Sequence, residues 1–191
     1  MNFKKLVQVV NYVLAKYDYR LNYTKLIKLL YISDRECLNK WNFAISGDSY
    51  VSMKQGPVLS GLYNLILENS SRCAPTELAE WKCCFYQEDN DLISKIEYKC
   101  SYGELCDAET DILDSVDKKY HTRKYGYLIK EVHKFPEWNK DAEKYNTSYS
   151  LPKQSILRSL NKSEKEIKAI IDNEQTLSQL DESFKEKGLM I

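Results

Sequence analysis

Residues 23–36, YTKLIKLLYISDRE, decide how the chain folds. Leu26, Leu29, Leu30, Ser33 and Cys37 recur at helical spacing, and Ile27, Tyr31 and Leu38 form a second set beside them. Together they cover well over half of a helix and leave Lys25, Lys28, Arg35, Glu36 and Asn39 as a narrow polar stripe. Such a helix is predicted to be packed on most sides and to form the centre of the core. The next stretch, ISGDSYVSMKQGPV over 45–58, reads as a turn-rich connector, and LSGLYNLI after it as a second helix. Within the connector, 45–48 is a turn and 49–53 a short extended piece. Gly56-Pro57 stops it, and a helix is predicted from about Pro57 with Val58, Leu62, Leu65 and Ile66 buried.

On the N-terminal side, Phe3, Leu6, Val7, Val10, Val13, Leu14 and Tyr17 predict an amphipathic helix over 2–17. The short link at 18–22 makes it the antiparallel neighbour of the core helix. On the C-terminal side, 81–86 and 92–98 are rich in aromatic and β-branched residues around a polar turn at 87–91, and predict a β-hairpin at about 81–98. An N-cap at Asp107 opens a helix with Ile112, Leu113, Val116 and Tyr120 inward. A shorter helix is predicted over 123–134, with Tyr125, Leu128, Ile129 and Val132 inward, before Pro136. Residues 139–152 show little periodicity and read as a loop. Ser163 and Glu166 form a capping box ahead of Ile167, Ile170, Ile171, Leu177, Leu180 and Phe184, which repeat at helical spacing. This last helix either packs on the domain or reaches to a partner. The expected architecture is mainly α with a small β-hairpin, a compact α+β domain over 1–150 and a C-terminal helical extension over 151–191.

The 191 residues, 43% apolar and 29% charged, are those of a soluble globular protein. Net charge is zero but unevenly spread. Residues 1–60 carry nine basic against four acidic side chains, 61–120 six against thirteen, and 121–191 thirteen against eleven. No clustered basic face stands out, so nucleic acid is not an expected partner. The six cysteines, Cys37, Cys73, Cys83, Cys84, Cys100 and Cys106, form no C-x-x-C pair and read as small hydrophobes in a reducing cytoplasm. No signal peptide and no apolar run near the ~20 residues of a membrane span is present, so neither membrane nor secretion is expected.

Motifs for catalysis, cofactors or metals are missing: there is no G-x-S-x-G, P-loop or H-E-x-x-H, and neither His121 nor His133 has a nucleophile beside it. Asp34 is the notable carboxylate, because it lies beside Tyr31 and Leu38 on an apolar face where an unpaired charge is costly. It reads either as a recognition or catalytic acid or as a buried aspartate that holds the connector through Lys54 or main-chain N–H groups. Gly56-Pro57-Val58 reads as a cleft former or as a tight turn. His133 and Trp138 read as a pocket edge or as a helix end packed on the core. An enzyme reading needs Asp34, Asp48 and His133 to converge around the Gly56 turn.

The ordered series Lys25-Leu26-x-Lys28-Leu29-Leu30-Tyr31-x-x-Asp34, Gly47-Asp48-x-Tyr50-x-x-Met53-x-x-Gly56-Pro57-Val58 and Leu62-Tyr63, with a later Leu128 to Trp138 stretch containing His133 and Pro136, resembles the Panacea domain of SocA-like and GepA-like antitoxins. The resemblance covers roughly residues 3–145. It implies a small, mostly helical antitoxin, encoded beside a toxin and neutralising it by direct binding. Similar proteins pair with unrelated toxin classes, and one type acts as an adaptor that delivers the toxin to a protease; an exposed C-terminal helix would favour that role here. Some relatives carry a preceding DNA-binding or zinc-binding segment, which is not expected here because the motif starts close to Met1. The expected partner is thus a cognate protein toxin, with a protease as second partner if the chain is an adaptor. Lys25, Tyr31, Asp34, Asp48, Tyr50, Lys54, Gly56, Pro57, His133 and Trp138 are the expected partner-binding residues, and the hairpin and C-terminal helix lie outside the matching motifs, where partner choice is expected.

Overall fold

The computed structural model describes residues 2–96 and 101–186. Fold class matches expectation: the chain is 57% helical, with nine helices and two small three-stranded antiparallel sheets among the described residues. The first helix, α1 (Phe3–Ala15), starts at Asn2, whose side chain accepts the Lys5 N–H at 3.1 Å. Asp18 and Tyr19 both take positive φ, turning the chain into β1 (Arg20–Asn22). Asn22 then caps α2 (Tyr23–Trp41), accepting the Lys25 N–H at 3.2 Å. The apolar sets predicted for α2 are buried, with Leu26 and Leu38 fully enclosed. It lies against helices, strands and connectors on nearly every side.

The polar stripe of α2 is narrower than its sequence suggests. Lys25 and Lys28 are buried, 7% and 1% exposed, so only part of the stripe faces water. Long lysine stems can follow apolar walls inward, which residue type alone does not reveal.

After the turn at 45–48 come β2 (Tyr50–Met53) and β3 (Gly56–Leu59), joined by Lys54 and Gln55, with Met53 opposite Gly56 and Tyr50 opposite Leu59. The helix predicted from Pro57 begins later, as α3 (Ser60–Ile66). Pro57 sits in a strand because β3 is the edge of its sheet, where a missing N–H breaks no ladder. The buried residues predicted there, Val58, Leu62, Leu65 and Ile66, are buried all the same.

The predicted hairpin arm at 81–86 is mostly helix. Pro75 opens α4 (Pro75–Cys84), so Trp81, Cys83 and Cys84 lie in its last turns, and only Phe85 and Tyr86 of that arm enter β4 (Phe85–Glu88). Pro at the first helical position and one buried anchor, Trp81 at 2% exposure, outweigh the local strand preference. β4 pairs with β5 (Asp91–Ser94), which pairs with β1; the predicted second arm to Tyr98 runs past Ile96 into residues outside those described.

Asp107 is the first residue of α5 (Asp107–Tyr120) rather than its cap; Cys106 occupies the cap, and its N–H is bonded by Glu109 at 3.1 Å. Ile112, Leu113, Val116 and Tyr120 are buried as expected. In α6 (Tyr125–Val132), Leu128 and Val132 are buried, but Tyr125 is 47% exposed. Residues 139–152, read as loop, hold α7 (Asp141–Lys144) and β6 (Tyr149–Leu151), and β6 pairs with β2 to give the order β3-β2-β6. Next comes α8 (Lys153–Ser159), whose Ile156 and Leu157 join the same core.

The capping box is formed: Glu166 accepts from the Ser163 N–H at 2.8 Å and Ser163 Oγ accepts the Glu166 N–H at 3.3 Å. It opens α9 (Glu164–Glu186), whose Ile167 and Ile170 are buried. Beyond them Leu177, Leu180 and Phe184 are 58%, 48% and 46% exposed. The inner half of α9 docks on the core and its outer half leaves it.

Candidate functional site

The motif residues gather where α2 meets the β2–β3 hairpin, and they form three linked clusters. In the first, the carboxylate of Asp34, 1% exposed, accepts the Ser46 N–H at 2.9 Å, the Ser46 hydroxyl, and the Tyr50 hydroxyl at 2.9 Å. Burial pushes the Asp34 carboxyl above its ordinary value while these three hydrogen bonds pull against it. The same burial, with the Asp34 charge beside it, raises the Tyr50 hydroxyl well above its usual range. Asp48 completes the cluster by accepting the N–H groups of Ser49, Gly61 and Leu62 at 2.7, 2.9 and 2.9 Å, which ties the connector to the start of α3. The partners of Asp34 are thus one main-chain N–H and two hydroxyls, and no hydrogen bond among the described residues joins Asp34 to Lys54.

In the second cluster, Tyr31 is fully buried and donates to Glu137 Oε1 at 2.9 Å. Arg35 Nε donates to the same oxygen at 2.8 Å, and its guanidinium lies 4.2 Å from the centre of the Phe135 ring. Arg35 also reaches Ser159 of α8 at 3.4 Å, so the cluster joins α2 to the segment after α6 and to α8. Glu137 Oε2 is buried without a hydrogen-bond partner among the described residues.

The third cluster surrounds Gly56. Lys28 Nζ donates to the Pro57 carbonyl at 2.8 Å, and burial pushes its ammonium down to about 7. Gly56 has φ of +99°, and a Cβ there would lie 2.5 Å from Val132 Cγ2 and 3.5 Å from Lys28 Nζ. The His133 ring stacks on Trp138 with centroids 3.6 Å apart, and Trp138 Nε1 donates to the Met53 carbonyl at 3.1 Å. Burial, helped by Lys28, pushes the His133 imidazole below its ordinary value, and its Nε2 has no hydrogen-bond partner among the described residues.

Lys25 stands apart from all three. Its Nζ donates to the His121 carbonyl at 2.6 Å and lies 4.3 Å from the centre of the Tyr17 ring, at the junction of α2 with α5. Lys54, at the hairpin turn, is exposed. Among the ten expected partner-binding residues, Lys54 and part of His133 reach the surface of the free chain, whereas Tyr31, Asp34, Asp48, Tyr50, Gly56, Pro57 and Trp138 are buried.

No hydrogen bond among the described residues joins His133 to Asp34 or Asp48, whose oxygens are taken by Ser46, Tyr50 and main-chain N–H groups. The arrangement fixes a connector and a hairpin onto the core helix.

A family model described as Antitoxin SocA-like, Panacea domain, matches residues 26–139, more than half of the chain. The chain belongs to this family. No curated protein and no solved structure matches it. The matched span holds all three clusters of this SocA-like antitoxin domain apart from Ser159, while Lys25 falls one residue before it and α7, β6, α8 and α9 fall after it. Family membership implies a cognate toxin as partner.

Lys28, Arg35, Ser46 and Glu137 belong to the clusters but were not among the expected residues. Ser46 and Arg35 carry no signal in isolation, since a serine in a turn and an arginine on a helix read as surface. Lys28 had two available signals, its place in the motif series and its position between Ile27 and Leu29 in an otherwise apolar run.

Proposed function

We propose that the chain neutralises its toxin by direct binding, and that the outer half of α9 is the surface that meets it. The family supplies the class of function; the observation that carries the binding reading is the stripe of Leu177, Leu180 and Phe184, three large apolar side chains about half exposed at i, i+3 and i+7. An apolar helix face of this kind is the form taken by helices that lie in a partner's groove. Over residues 172–186 the sequence has five acidic residues against one lysine, so two copies of this helix would repel and a groove with a basic rim suits it. The acidic middle third of the chain steers the same way. Beside the β2–β3 turn, Lys54 and the exposed edge of His133 supply further contacts, and the buried motif residues hold that turn in place. The setting proposed is the cytoplasm of a bacterium carrying the toxin gene, on its own genome, a phage or a mobile element. Among the described residues no helix is long and apolar enough to cross a membrane.

The test is co-purification with the product of the neighbouring gene, followed by the variant L177D/L180D/F184D. These side chains are exposed, so the fold is expected to survive. Loss of co-purification and of growth rescue supports the proposal; unchanged binding by the folded variant removes α9 from the interface. The adaptor reading has one observation in its favour, the same exposed helix, which a protease could grip instead. In that case the variant would still bind toxin, and toxin half-life would lengthen relative to the parent chain.

A further inference from the structure

Between the first turns of α2 and the β2–β3 turn lies a cleft of about 280 Å³. Its polar lining is Tyr23, Thr24, Lys28, Lys54, Gln55 and Tyr63: two lysines, three hydroxyl groups and an amide. No aspartate or glutamate lines it among the described residues. The remaining wall is apolar, from Ile27, Met53 and Val58.

Lys28 is the feature that packing does not explain. Its side chain is 1% exposed, its one hydrogen bond among the described residues goes to the Pro57 carbonyl, and no carboxylate among them pairs with it. A single main-chain oxygen does not balance a buried ammonium, and a second lysine on the rim adds charge of the same sign. Two cations facing one cleft with no acid between them is an unfavourable arrangement, relieved either by loss of the Lys28 proton or by an anion that completes the site. The depressed Lys28 ammonium, near 7, is that of a cation without a counter-ion. Gly56 bears on the site indirectly: it lets the β2–β3 hairpin close against Val132, which brings the Pro57 carbonyl to Lys28 Nζ.

We propose that this cleft binds a small molecule through an oxyanion, a carboxylate or phosphate group, held by Lys28 and Lys54, with its body against the rings of Tyr23 and Tyr63. A cleft of this size, part apolar and with a few convergent polar groups, suits a ligand of a ring or two rather than a macromolecule. The proposal does not rest on how the toxin is bound.

The test is calorimetric titration of the full chain with phenyl phosphate, benzoate and inorganic phosphate, with phenol as the neutral control. Saturable binding of phenyl phosphate or benzoate is expected at a Kd of about 1 mM or tighter, with phenol failing to bind. The stronger of the two identifies the oxyanion. Lys28→Met should weaken binding about tenfold or more, and Lys54→Met, at an exposed position that leaves the fold intact, about threefold to tenfold. Amide shifts on titration should centre on Thr24, Lys54 and Gln55. The proposal is overturned by any of three results: no saturable binding of any anion at about 10 mM, phenol binding as tightly as phenyl phosphate, or undiminished binding by Lys54→Met together with a folded Lys28→Met.

Discussion

Gly56 shows how much one hydrogen atom can decide. With φ of +99° and Val132 Cγ2 2.5 Å from where a Cβ would sit, the position excludes every side chain. Gly56→Ala is expected to destabilise the fold by about 2–4 kcal/mol, combining a left-handed backbone with overpacking against a buried valine. A urea midpoint unchanged from the parent would contradict this. Lys28 makes a prediction in pH. Its ammonium titrates near 7 in the fold and near ~10.4 when unfolded. Between those values the unfolded chain holds a proton that the folded chain lacks, so stability rises with pH, by at most about 1.4 kcal/mol per pH unit from this group. Below 7 both states are charged and the cost of burial is constant. His133, the other titratable ring beside Lys28, is already neutral across that window. Lys28→Met should therefore gain more over the parent at pH 7 than at pH 9, and a difference independent of pH would refute the assignment. Asp34 was legible from sequence because a carboxylate on an apolar face stands out. Lys28 was only partly legible, from the apolar residues on either side of it, because its position three after Lys25 mimics a solvated stripe and residue type does not tell which way a long side chain turns.

Among elements, the connector between α2 and β2 depends on Asp34 more than on its own packing. Asp34→Ala leaves the Ser46 N–H, the Ser46 hydroxyl and the Tyr50 hydroxyl without their shared acceptor, at a cost of about 3 kcal/mol or more. Neutralisation should fall in step with the folded fraction; full loss of neutralisation in a variant with parental stability would assign Asp34 a direct contact instead. At α9 the capping box predicts a local effect. Ser163→Ala should cost about 1 kcal/mol and speed amide exchange in the first turn of that helix while leaving α2 unchanged. The helices α1, α2 and α5 were readable because each buries a periodic face, and α9 because its apolar residues keep the same period from the buried inner half to the exposed outer half. Trp81 to Cys84 misled because α4 has one buried anchor, and ten residues with one anchor have no period to detect. Pro57 misled for a different reason: proline suits both the first turn of a helix and an edge strand, and only the sheet order distinguishes them.

For the whole molecule, the uneven charge predicts kinetics. Association with the toxin should slow severalfold between about 50 and 500 mM salt while dissociation changes little, since steering acts on encounter. A rate that ignores salt would remove charge from the recognition account. Charge distribution is fully legible in a sequence; the partners of a short strand are not. β6 has three residues, too few for any pattern, and its pairing with β2 joins Tyr50 to Leu151 across about a hundred residues. That separation matters on the ribosome. Synthesis delivers β2 and β3 long before β6, and in the interval β2 presents an edge with nothing paired to it. A chain released before Leu151 carries an unfinished sheet, exposed to proteases, whereas one that reaches it can close the sheet at once. Closure of this sheet therefore waits until residue 151 has been made.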